Sequence, residues 1–182
     1  MDAESWHYPI SKKKERLHSV LDEMADFKLN PQDVPLIIKL VENPRYKTSQ
    51  LFSGAVDLFT HDCIHILLGR GLLVKDEAFV IGFTMGSTKK MTRWRRNLFM
   101  FICKYFYPEG YKFNEEERYV FYSGVLAGNQ CPTDLTNVKF NMLSDEEVGK
   151  IRKKLGIDTA LLKCLYCAEK KLFKDKECRR LV

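Results

Sequence analysis

The sequence predicts an all-α protein, a single-domain helical bundle with a metal site between two adjacent helices. Three observations predict it. Apolar residues fall at helical spacing or in long Pro-free runs. Glycines at 69 and 156 and capping residues at 76 and 144 punctuate those runs as helix ends. No segment alternates as a convincing strand, residues 119–122 alone being ambiguous. At 182 residues, 45% hydrophobic and 30% charged, the composition is that of one soluble globular domain, residues 1–182, with a real core.

The elements follow in order. Residues 1–10 read as irregular, with Pro9 closing them. Ser11 is a candidate cap for a helix over 12–27, in which Leu17, Val20, Leu21, Met24 and Phe27 form one apolar face. Pro31 and Pro35 interrupt, and 36–41 begin another short helix. Asn43-Pro44 marks a turn before a helix over 51–68 that stops at Gly69. Asp76 reads as the cap of the next helix, over 76–88, with Glu77 in its first turn. Residues 129–134 form a loop. Ser144 and Glu147 read as a capping box opening a helix that runs to Leu155 and stops at Gly156. The basic tail, 158–182, is helical by pattern.

The chemistry concentrates in His61-Asp62-x-x-His65, followed after eleven residues by Glu77, all in apolar surroundings. Buried imidazoles and carboxylates are costly without a partner, and a divalent metal is the simplest one. At about 100° per residue, His61 and His65 are neighbours one turn apart, and Asp62 lies about 60° round from His65. A short loop returns Glu77 to them. His61, Asp62, His65 and Glu77 are thus the candidate metal ligands, with Asp62 a fourth ligand or an orienting group. Asp62 and Glu77 are the candidate catalytic carboxylates. Two nitrogens and two carboxylates suit one divalent transition metal, iron, manganese or zinc. His61, His65 and Glu77 as a facial set with open positions suit iron(II) and oxygen chemistry.

This pattern resembles the hallmark of the fourth coenzyme Q biosynthesis protein family, which acts in ubiquinone synthesis. Residues 148–157, V-G-K-I-R-K-K-L-G-I, are similar to that family's V-R-x-x-L-G-I ending. The resemblance spans about 35–157. It implies an all-helical fold, a divalent metal, a prenyl-chain lipid nearby, and oxidative decarboxylation of a prenylated hydroxybenzoate, the ring carboxyl being replaced by hydroxyl. Phe52, Phe59, Leu67, Phe79 and Phe83 would then wall the prenyl tail. Other quinone-biosynthesis proteins are candidate partners, as is a second copy of the chain. The chain departs from the family in the sixty residues that precede His61, fewer than usual, and in residues 158–182 beyond the usual ending.

Residues 86–112 hold seven basic residues against one acid, Glu109, and run into the apolar stretch 98–107. Arg93, Arg95 and Arg96 beside Trp94 predict docking on an anionic membrane surface; a core helix with a solvated start is the plainer reading. Nucleic-acid binding is not expected, because the charge is confined and no nucleic-acid motif accompanies it. No apolar run approaches the roughly 20 residues of a membrane span. The N-terminus has early acids and no apolar core, so neither a signal peptide nor a mitochondrial presequence is expected, and the location predicted is cytoplasmic and peripheral to a membrane. Cys63 and Cys103 are expected in the core, and Cys164-x-x-Cys167 near one face of a terminal helix, without zinc.

The leading reading is therefore a metal-dependent enzyme of prenyl-quinone lipid metabolism. One alternative is a non-catalytic prenyl-lipid-binding scaffold. The other is a metal-dependent phosphohydrolase, for which His18 and Asp134 or Asp145 would be the extra ligands.

Overall fold

The computed structural model describes residues 6–27, 54–108 and 112–181. Among them the secondary structure is helical, with no strand. The helices are α1 (Leu17–Ala25), α2 (Leu58–Leu68), α3 (Val74–Ser87), α4 (Arg93–Tyr105), α5 (Glu115–Gln130), α6 (Val148–Leu155), α7 (Thr159–Leu172) and α8 (Lys176–Arg179). Two 3₁₀ turns, Leu135–Asn137 and Phe140–Leu143, join α5 to α6. The expected helix over 36–41 and Phe52 lie outside the described residues.

The helix ends explain where the sequence reading held and where it slipped. Gly69 and Gly156 both stop their helices in the left-handed region, with φ of 68° and 71°. α2 begins at Leu58 rather than 51, because Asp57 accepts from the Thr60 backbone N–H and hydroxyl. Asp76 is not an N-cap. α3 starts at Val74, and Asp76 reaches back from its first turn to accept from the Leu73 N–H at 3.1 Å. Ser144 does not open α6 either; its hydroxyl donates to the Asn141 carbonyl, and Glu147 occupies the cap position. Residues 119–122 lie within α5, which Asn114 and Glu117 open with a reciprocal capping box.

α3 and α5 pack backbone to backbone. Gly82 and Gly86 on one helix face Gly124 and Gly128 on the other. A Cβ at these positions would overlap the carbonyl oxygens of Phe121, Val125, Phe79 and Phe83 respectively. Cys63 and Cys103 are fully buried, as expected, and Cys164 and Cys167 are exposed.

Arg152 of α6 ties the N-terminal segment to the end of α2. Its guanidinium donates to the carbonyls of Leu67, Ile66, Ile10 and Lys12 at 2.7–3.0 Å. The first two are among the carbonyls that a helix end leaves without intrahelical donors. Burial pushes this guanidinium down to about 10, so it still carries its charge at neutral pH.

The same segment packs Trp6, Tyr8 and Ile10 into the core, where His7 Nε2 donates to the Gly69 carbonyl at 3.0 Å. Burial lowers the His7 pKa below its ordinary value. Below about pH 6.5 the unfolded chain therefore takes up a proton that the folded chain resists. Stability contributed at His7 is present above that pH and declines as the pH falls beneath it. With chelator present, the parent should lose more stability between pH 7.5 and 5.5 than His7→Gln, by up to about 1.4 kcal/mol per pH unit. Equal losses in urea titrations would remove His7 as the cause.

Candidate metal centre

α2 and α3 are consecutive, and the turn between them brings their facing residues together. His61 and His65 project from successive turns of α2, their ring centroids 4.6 Å apart. Glu77, in the first turn of α3, meets both. His61 Nε2 lies 2.9 Å from Glu77 Oε2, His65 Nε2 lies 3.2 Å from Glu77 Oε1, and the two Nε2 atoms are 3.0 Å apart. Among the described residues this is the group of histidine, cysteine and carboxylate side chains placed to hold a metal ion. Donor atoms about 2.1 Å from one metal and at right angles to each other stand about 3.0 Å apart, against about 3.4 Å at tetrahedral angles. The two imidazole nitrogens and the nearer oxygens of the carboxylate, one oxygen toward each ring, are thus close enough that one ion could be held by all three residues.

The hydrogens at this site point the same way. His65 Nδ1 lies 2.7 Å from the Gly71 carbonyl oxygen, which only accepts, so Nδ1 carries the proton. In the neutral ring Nε2 is then a bare lone pair, and it faces a carboxylate oxygen. His61 Nε2 can donate one hydrogen to Glu77, which leaves nothing for His65. The contact between His65 Nε2 and the Glu77 carboxylate is one that a cation lying between them would complete. A peptide carbonyl holding the far nitrogen of a ligating imidazole is the usual outer support of a metal site.

Electrostatics keep the carboxylate ready. Burial acts to raise the Glu77 pKa, but the imidazoles of His65 and His61 outweigh it and hold the group well below the usual carboxylate range. His65 is fully buried, while the Glu77 side chain is 31% exposed.

Asp62 is not brought to this triad. It is buried and lines a cleft of about 520 Å³ with His18, Leu21, Asp22, Leu58, Phe59 and Ser144, toward α1. Of the predicted lipid wall, Phe59 is exposed and lines that cleft. Leu67, Phe79 and Phe83 are buried in the core. Phe79 packs edge-on against Tyr166, with ring centroids 5.2 Å apart. His18 approaches Ser144 and Asp145, and Asp134 caps a 3₁₀ turn, so the extra ligands of a phosphohydrolase do not reach the triad.

The basic-aromatic segment forms α4. Trp94, Phe101 and Tyr105 and the adjoining Phe106 are each more than half exposed. Arg93 and Lys104 are exposed beside them. Arg95 and Arg96 differ from expectation. Both are half-buried, and their guanidinium carbons lie 5.8 and 5.0 Å from the ring centres of Trp94 and Tyr122. Lys89 also turns away, donating to the carbonyls of Asn129 and Cys131 at the end of α5. No described helix is long and apolar enough to cross a membrane.

Sequence reasoning missed Arg70 altogether. It is fully buried between the rings of Phe79 and Tyr166, at 4.1 and 4.2 Å, and pairs with Glu169. Its only sequence signal was an arginine inside an apolar stretch. Comparison with protein-family models, with curated proteins and with solved structures found no match.

Proposed function

We propose that the chain is a metal-dependent enzyme that, with dioxygen as the oxidant, releases the carboxyl group of a prenylated hydroxybenzoate as carbon dioxide and leaves a hydroxyl in its place, as the resemblance of its motif implies. The observation that carries the metal is the meeting of His61, His65 and Glu77, with His65 fully buried and its Nε2 facing both partners. These three residues would hold one divalent ion, iron, manganese or zinc. When bound, the ion supplies a Lewis acid for an anionic phenolate or carboxylate and, as iron(II), a centre for oxygen chemistry. Glu77 contributes a permanent negative charge, His65 a ring orientation locked by Gly71, and His61 the third donor. The apolar side chains of Leu21, Leu58 and Phe59 would receive part of the prenyl tail, with Asp62 at the same cleft.

Metal analysis of the purified protein should find about one divalent transition ion per chain. Glu77→Gln, which keeps size and removes charge, should abolish decarboxylation while the helical signal persists. Undiminished turnover in Glu77→Gln would remove Glu77 from the mechanism. A metal-loaded, lipid-bound parent without turnover would instead support the scaffold reading.

The substrate's prenyl chain would place this chemistry beside a bilayer, and α4 has a face suited to an anionic one. Its exposed aromatics lie along one side, with Arg93 and Lys104 at their edge. Each cation near such a surface is worth on the order of 1 kcal/mol, and about 1.4 kcal/mol is tenfold. Arg93→Glu with Lys104→Glu should therefore weaken binding to anionic vesicles more than tenfold and leave binding to neutral vesicles little changed. Equal flotation of parent and double variant would remove this face as the docking surface.

A further inference from the structure

We infer that the C-terminal helices α7 and α8 are a latch that positions the metal ligands, acting through Arg70–Glu169 and Asp76–Arg180 across the loop between α2 and α3. This rests on the metal reading of His61, His65 and Glu77. The loop leaves α2 three residues after His65 and enters α3 three residues before Glu77. Its course sets how far apart the ligands stand.

Contacts from α7 and α8, from Asp175 just before α8 and from Arg180 just after it hold that course at both ends. On the α2 side, the Tyr166 hydroxyl donates to the Leu68 carbonyl at 2.6 Å. Arg70 donates through both terminal nitrogens to Glu169, at 2.9 and 2.6 Å, with neither side chain more than 2% exposed. On the α3 side, Arg180 pairs with Asp76, the residue beside Glu77. Lys75 pairs with Asp175 at 2.5 Å, and its backbone N–H donates to Glu177 at 3.3 Å. Both terminal Nη atoms of Arg70 are thus engaged by Glu169, and its guanidinium also lies 3.8 Å from Asp76, which links the two grips.

Stability alone is a weak reason for this arrangement. A buried ion pair roughly breaks even against well-packed apolar residues of the same size. What the two-pronged Arg70–Glu169 pair supplies is direction, because the fork fits in one orientation; Arg180 meets Asp76 through one nitrogen, a contact that a lysine ammonium can also make. Metal ligands need such placement, to within about 0.5 Å. The residues of this latch all lie in 158–182, so the segment read as a terminal extension is part of the metal centre's support.

Cobalt(II) titration of the full-length, metal-free protein tests this, with absorbance of the bound ion as the signal. Binding that persists in His65→Ala is subtracted as thiolate binding. Arg180→Gln should weaken cobalt affinity at least tenfold and alter the band pattern, at a temperature where the variant is fully helical. Arg180→Lys should restore affinity to within about threefold. Leu135→Val, a core change beside Ser87 at the far end of α3, should lower the melting temperature without changing affinity. If Arg180→Gln binds cobalt within twofold of the parent, the latch is overturned and the metal reading stands. If the parent itself takes up no cobalt beyond the His65→Ala blank, the metal reading falls, and the latch falls with it.

Discussion

Replacing His65 with alanine should abolish divalent-metal binding and the stabilisation that comes with it. His65 is the triad member whose orientation is fixed from behind, by the Gly71 carbonyl at 2.7 Å, and whose Nε2 lies within 3.2 Å of both partners. Without it, one imidazole and one carboxylate remain, too few for a closed set. A metal that binds only the folded chain stabilises it by about 4 kcal/mol at a thousandfold excess over its dissociation constant. For a chain of this size that raises the melting temperature by roughly 8–16 °C. The parent should show that rise on adding zinc, and His65→Ala should show none. The variant also carries a cavity cost of its own, so each protein is compared with and without zinc. An equal rise in both would mean that the ion binds elsewhere.

The triad was legible because its members are local. His61 and His65 are one helical turn apart, and a short turn returns Glu77, so helix periodicity and one glycine stop suffice. Asp62 shows the limit of that reasoning. A rotation of about 60° from His65 looked close enough for ligation, yet on a packed helix it is enough to turn a side chain toward α1. Asp76 misled for a related reason. Its carboxylate does cap α3, but from inside the first turn, a position that composition cannot separate from the cap itself.

Long-range partners were not legible. Arg70 and Glu169 stand 99 residues apart, and nothing in either neighbourhood names the other. Arg152 belongs to the motif around residues 148–157, but its task, donating to carbonyls at the end of the helix that carries His61 and His65, appears only in three dimensions. Among the cations near Trp94, half-burial of Arg95 and Arg96 follows from their side of α4, which faces Tyr122 and the core. The two G-x-x-x-G spacings were in plain view at 82/86 and 124/128. Glycine in a helix ordinarily counts against it, whereas here the missing side chains allow the helices to meet.

That contact makes Gly128→Ala the most damaging small change in the fold. On an exposed helix the same substitution would stabilise by about 1 kcal/mol, because alanine loses less conformational freedom. At Gly128 the new methyl group would overlap the Phe83 carbonyl oxygen, with the Phe83 α-carbon close behind. A side chain could rotate away; a helical carbonyl cannot without losing its own hydrogen bond. The helices must separate instead, loosening the stacked Phe99 and Phe121 rings and the buried faces of Phe79 and Phe83. Overpacking usually costs about 1–3 kcal/mol, and a backbone obstacle puts this case at about 3 kcal/mol or more. Urea unfolding should show a lower midpoint at unchanged slope. Gly124→Ala should behave alike, and the double variant should lose less than the sum, since the first separation makes room for the second methyl. α3 also carries Glu77, so its displacement should weaken metal binding as well. A midpoint equal to or above the parent's would mean that α3 and α5 leave room for a methyl group between Gly128 and the Phe83 carbonyl.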